Sequence, residues 1–79
     1  NLPVDYVKID GVFVRDIANN PSDYAVVKSI NEIGHYMDKQ TIAEYVEDEA
    51  VLNALVEIGV DYVQGYQIEK PLLLTDLMI

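Results

Sequence analysis

The 79 residues predict an α/β fold built on a parallel β-α-β-α-β segment. Three observations carry that expectation. Short runs rich in β-branched and aromatic residues alternate with longer stretches whose apolar residues recur at helical spacing. The repeat is roughly thirty residues long, enough for a helical crossover between parallel strands. The stretch "VDYVQG" at 60–65 echoes "VDYVKI" at 4–9, the same strand opening written twice with a different tip.

Taken in order, "VDYVKI" at 4–9 reads as the first strand. The "GVFVRDI" that follows predicts one helical turn packed by Val12, Phe13 and Ile17. "NNPSDYAVVKSINEIGHYMDKQ" then holds a helix start. Asn20 is placed to cap it, Pro21 suits the first helical position, and Asp23 falls near the positive end of the dipole. Val26, Val27, Ile30, Ile33, Gly34 and Met37 make one apolar stripe along it. "TIAEYV" at 41–46 is the second strand. "EDEAVLNALVEIG" is the second long helix, with Glu47, Asp48 and Glu49 expected in its first turn. Val51, Leu52, Leu55 and Ile58 form its buried side, and Gly59 its stop. "VDYVQG" is the third strand. Beyond Pro71, Thr75 is expected to cap a short helix at "DLMI".

Composition narrows the function classes. There is no cysteine, and no apolar run approaches the ~20 residues that span a bilayer, so the default is a soluble, cytoplasmic protein with no membrane segment. Fourteen acidic residues against five basic ones give a net charge of −9, a field that repels phosphate backbones and argues against a nucleic-acid polymer as partner. Any phosphate-bearing ligand then needs a local cation or a metal ion to approach.

Three parallel strands cannot close a barrel, and they leave two unpaired edges. The complete architectures that contain such units are doubly wound sheets and the (β/α)8 barrel, typically ~250 residues long. The opening "NLPVDY" reads as a cut end. Residues 1–79 are therefore expected to be the C-terminal fragment of a larger domain. Alone, the fragment is expected to be unstable or to form a homo-oligomer through its strand edges.

In a parallel sheet the strand ends of one polarity lie on one side, ~4.8 Å apart from strand to strand. Lys8 and Asp10 end the first strand, Glu44 sits in the second, and Gln64 ends the third. In both candidate architectures that rim is where ligands bind. Blander roles exist for each: Lys8 neutralising Asp10, Gln64 making turn hydrogen bonds before Gly65. Glu44 is the least easily dismissed, since a carboxylate inside an apolar strand requires a cation, a donor or water.

Three linked stretches, "LPVDYVKIDGVFVRDI", "TIAEYVEDE" and "VDYVQGYQIEKPL", resemble the last third of the bacterial EAL domain, the cyclic-di-GMP phosphodiesterase family. The resemblance covers essentially the whole chain and implies the last part of a TIM-like (β/α)8 barrel. It implies cyclic-di-GMP as substrate, linear pGpG as product, and Mg²⁺ or Mn²⁺ as cofactor of the complete domain. Residue by residue, Lys8 matches the family's catalytic lysine beside the attacking water. Glu44 matches the first glutamate of "AEGVE", with a catalytic part and an expected place at the second metal ion. Gln64 matches the closing-strand glutamine near the substrate. Glu47 and Asp10 match positions for which a structural role at the rim is expected.

The sequence also departs from the family pattern. The Glu-Ala-Leu segment, the metal-binding asparagine, a further glutamate and the Asp-Asp pair, all upstream in the family, are absent from these residues. The 79-residue chain alone is therefore expected to be inactive. Tyr45 stands where the family has glycine, Ile68 where it often has an aromatic residue, and Glu69 where a small residue is common. Those changes leave a second reading open, a non-catalytic cyclic-di-GMP receptor or protein-interaction module on the same fold. A generic βαβ piece of another phosphate-handling barrel is a distant third. His35 has no second histidine to support a metal role, Tyr6 and Tyr62 read as packing residues, and "EDE" at 47–49 reads as helix-dipole preference.

Overall fold

A computed structural model of the chain describes residues 5–65 and 71–77. It contains β1 (Tyr6–Ile9), α1 (Gly11–Val14), α2 (Pro21–Tyr36), β2 (Gln40–Glu44), α3 (Glu49–Ile58), β3 (Tyr62–Gln64), β4 (Leu72–Leu73) and α4 (Leu74–Leu77). The sheet order is β1-β2-β3-β4. β1 pairs with β2 and β2 with β3, both in parallel, as the alternation of strands and crossover helices requires.

The helix boundaries follow from their caps. Asn20 Oδ1 accepts from the backbone N–H of Ser22 and Asp23 at 3.0 and 3.1 Å, and Pro21 opens α2. Asp48 is the cap of α3, its Oδ1 accepting from the Val51 N–H at 2.8 Å. Of the three acidic residues expected in the first turn of α3, only Glu49 lies there; Asp48 caps it and Glu47 precedes the cap. Gly59, at φ 95°, ends α3 in the left-handed conformation that glycine adopts freely.

Period-two geometry then sorts the strands into two faces. Cα partners in the register share a face, so Val7, Ile9, Thr41, Ala43 and Val63 point one way. That face is the core. Ile9, Val14, Ile17, Val27, Ala43, Val51, Leu55, Val60, Val63 and Leu74 pack as one buried cluster between sheet and helices. A fully buried side chain such as Leu55 contributes about 1.5–3 kcal/mol by leaving water. Tyr6, Lys8, Ile42, Glu44, Tyr62 and Gln64 point the other way. There Tyr6 and Tyr62 meet edge-to-face with ring centroids 5.6 Å apart, the packing role expected of them.

Several details correct the sequence reading. In α1 the buried residues are Gly11 and Val14, with Ile17 just beyond, while Val12 and Phe13 are exposed. A four-residue helix lying on a sheet can bury only one side. In α2 the buried line runs Val27, Asn31 and Gly34, whereas Val26, Ile33 and Met37 are exposed. The apolar count rotated the stripe because it passed over Asn31. That residue is buried in partnership: Thr41 Oγ1 donates to Asn31 Oδ1 at 2.6 Å, and Asn31 Nδ2 donates to the Ile58 carbonyl at 3.2 Å. The strand at 41–46 is displaced to Gln40–Glu44, because Tyr45 leaves the extended conformation. Thr75 lies inside α4 and does not cap it. Leu72 and Leu73, which carry no strand pattern, pair antiparallel with β3 and cover one of the edges expected to stay open.

The echoed strand openings meet at the foot of the sheet. The Asp5 carbonyl accepts from the Gln40 N–H at 3.1 Å, and its carboxylate lies 3.7 Å from Lys39 Nζ. Asp61 does more. Its Oδ2 accepts from the Thr41 N–H at 2.9 Å and lies 2.6 Å from His35 Nε2, and its own N–H donates to Thr41 Oγ1 at 3.2 Å. The two aspartates of the echoed openings, Asp5 and Asp61, thus tie neighbouring strands at one end, and the differing tips lie at the other.

Candidate functional site

The tip residues are positioned by register. Glu44 is the last residue of β2, Gln64 the last of β3, and the two are Cα partners. Lys8 is the partner of Ile42, two residues before Glu44, so it lies on the same face about 6.6 Å lower along the strands. An amine, a carboxylate and an amide from three adjacent strands therefore share one face. They line a single cleft of about 260 Å³ together with Tyr45 and Gly65. Lys8 is exposed, and Glu44 and Gln64 are half-buried.

Asp10 and Glu47 do not line it. Asp10 Oδ1 accepts from the Val12 N–H at 2.9 Å and caps α1, so its carboxylate serves the backbone just past the β1 tip. No ion pair joins Lys8 to Asp10 among the described residues. Glu47 is exposed, one residue before the α3 cap. Ile68 and Glu69 lie outside the described residues. His35 is engaged by Asp61 at the opposite end of the strands.

Two further residues complete the lining: Tyr45, noted in the sequence only as a departure from the family's glycine, and Gly65, which was not assigned to the site. Tyr45 sits at φ 62°, in the left-handed region that costs a non-glycine residue roughly 1 kcal/mol. The backbone on both sides holds it there. Glu44 is fixed in register with Gln64, and the Val46 N–H donates to the Gln64 carbonyl at 3.3 Å, so the chain returns to β3 immediately after Tyr45. This conformation swings the ring over Gly11. A Cβ at Gly11 would come within 1.9 Å of the Tyr45 ring carbon Cδ2, so only glycine leaves room for it. Gly65 serves the same loop, since a Cβ there would lie 2.4 Å from the Val46 carbonyl oxygen. The glycine standing at position 45 in the family pattern was the available signal: it marks a special backbone angle, which the tyrosine adopts.

The EAL domain family model matches residues 1–71. The chain belongs to the EAL domain family. It is 51% identical over 70 residues to the cyclic di-GMP phosphodiesterase PdeB of Shewanella oneidensis, a match covering 89% of this chain and 8% of PdeB. Among solved structures it resembles the EAL domain of Mycobacterium smegmatis DcpA, with a TM-score of 0.76 and 34% identity over 96% of this chain and 34% of that one. The FimX EAL domain of Pseudomonas aeruginosa, solved bound to c-di-GMP, aligns with a TM-score of 0.75 and 36% identity over 89% of this chain and 28% of that one. The chain thus spans a small part of its curated relatives and about a third of a solved EAL domain. Its β-α-β-α-β layout is a segment of the TIM-like (β/α)8 barrel, which decides between the two architectures left open by the strand order. The face carrying Lys8, Glu44 and Gln64 is the one turned away from the helices. No described helix is long and apolar enough to cross a membrane.

Proposed function

We propose that this EAL segment supplies part of the active-site rim of a cyclic-di-GMP-specific phosphodiesterase, a cytoplasmic hydrolase that opens the cyclic dinucleotide to linear pGpG. The observation that carries this reading is the convergence of Lys8, Glu44 and Gln64 on one cleft at the strand ends. Homology to PdeB, named as a cyclic di-GMP phosphodiesterase, supports it.

The side chains suit the chemistry. In a chain of net charge −9, Lys8 is the one cation among the described residues that line the cleft. Its ammonium attracts the bridging phosphate, stabilises a hydroxide-like nucleophile beside it, and offsets negative charge as water adds to phosphorus. Gln64 offers an amide that can both donate to and accept from a nucleotide. Glu44 accepts a proton or binds a cation; a bare carboxylate next to phosphate would otherwise be repulsive. In this reading Asp10 and Glu47 shape the rim from outside the cleft.

The complete domain is expected to use Mg²⁺ or Mn²⁺, hard ions held by oxygen ligands. The residues described here do not make such a site themselves. Among them no three His, Cys, Asp or Glu side chains are grouped to hold a metal, and Glu44 is the single carboxylate lining the cleft. The 79-residue chain alone is accordingly expected to leave cyclic-di-GMP intact.

The test is turnover by the full-length protein that carries this chain, supplied with cyclic-di-GMP and Mg²⁺ or Mn²⁺. The expected product is pGpG, its formation stopped by EDTA, and Lys8→Met is expected to lower kcat by about 100-fold or more. Tight binding without turnover would instead favour a receptor, a reading to which Tyr45 in the rim lends support. Neither binding nor turnover would refute both.

A further inference from the structure

We propose that Tyr45 is a specificity-determining residue of this cleft, its ring offering a stacking face to the base of a nucleotide whose phosphate meets Lys8. This role presupposes the phosphodiester ligand proposed above.

Three features of the structure converge on it. Tyr45 lines the same cleft as Lys8, Glu44 and Gln64. Its ring is supported on one side by Gly11, whose missing Cβ admits it, yet the residue remains 57% exposed. Its backbone is held at φ 62° between two ties to Gln64, the Glu44 register and the Val46 hydrogen bond. A large aromatic side chain on an unfavourable backbone, pressed against Gly11 yet more than half exposed, is poorly explained by packing alone. Packing would be served better by burying the ring, and the backbone by a glycine. An aromatic ring braced at the edge of a cleft that holds Lys8 does suit a ligand that joins a phosphate to a planar base, because bases stack on aromatic faces with little demand on hydrogen-bond pattern. Lys8 then supplies attraction for any phosphate, and Tyr45 discriminates in favour of those that carry a base.

The experiment measures binding to the full-length protein in EDTA, so that affinity is read without turnover. Two probes are used: cyclic-di-GMP directly, and ribose 5-phosphate, which has no base, by competition. Tyr45→Phe keeps the ring and is expected to bind cyclic-di-GMP close to wild type. Tyr45→Leu and Tyr45→Gly are each expected to bind it about tenfold more weakly, with ribose 5-phosphate unchanged. The glycine variant fits the φ of position 45, which guards against a loss that merely reports misfolding. Unchanged or tighter cyclic-di-GMP binding by both ring-less variants would overturn the proposal, showing a ring that only fills space. Equal loss of both probes would also overturn it, showing a scaffold role. A wild-type protein that binds ribose 5-phosphate but not cyclic-di-GMP would refute the functional reading itself, and the stacking role with it.

Discussion

Tyr45 and Gly11 act as one unit, because the ring of the first occupies the space a Cβ on the second would need. Gly11→Ala is expected to destabilise the fold by about 1–3 kcal/mol, the range for forcing extra carbon into a packed site. Adding Tyr45→Gly should recover most of that loss. Denaturant melts of the two single variants and the double variant check it; additive effects would mean that the ring and Gly11 are not in contact. Lys8, Glu44 and Gln64 could be read from sequence, because strand periodicity and a parallel sheet fix which side their tips take. Tyr45 could be noticed but not placed. Its direction depends on a positive φ imposed by tertiary ties to Gln64, and no propensity anticipates that for tyrosine. Asn31 was hidden for a different reason. Its polar groups are satisfied by Thr41 and Ile58, far away in sequence, so its burial has no local signature.

The two long helices are joined by Tyr24 of α2, whose hydroxyl donates to Glu57 Oε1 of α3 at 2.6 Å. That hydrogen bond, with desolvation and the Glu57 charge, raises the Tyr24 pKa above the ordinary value of 10.0. Folded chains therefore hold this proton more tightly than unfolded ones. The associated stability is complete below the ordinary tyrosine pKa and is lost as pH climbs through the raised one. Tyr62 is shifted in the same direction, chiefly by desolvation. Tyr24→Phe is accordingly expected to reduce, without abolishing, the loss of melting temperature above pH 10. A variant whose alkaline profile matches wild type would show that the α2–α3 tie is not made. At this scale the capped elements were legible, since Asn20, Pro21 and Gly59 are local signals acting on their own backbone. β4 was not. Two leucines after a proline carry no strand pattern, and they pair only because β3 offers a free edge.

Seen whole, the sheet is a sector of a barrel. β1 stands at one margin with no strand partner on its outer side among the described residues, and β4 contributes only two residues at the other. Unpaired edges invite pairing with another chain. The isolated 79-residue chain is expected to sediment as a species larger than its 8.9 kDa monomer; a monomer that melts cooperatively would contradict this. The parallel order was legible from the strand–helix rhythm. The choice between a doubly wound sheet and a barrel was not contained in that rhythm, and rested on the linked tip motifs. Those motifs also state the central claim, that Lys8, Glu44 and Gln64 serve a single phosphodiester ligand at one cleft. The most direct test is a structure of the full-length protein with cyclic-di-GMP bound. The expected result is a phosphate oxygen within about 3 Å of Lys8 Nζ and the nucleotide in contact with Gln64. Cyclic-di-GMP bound away from the β1–β3 tips, with Lys8 and Gln64 left in solvent, would contradict it.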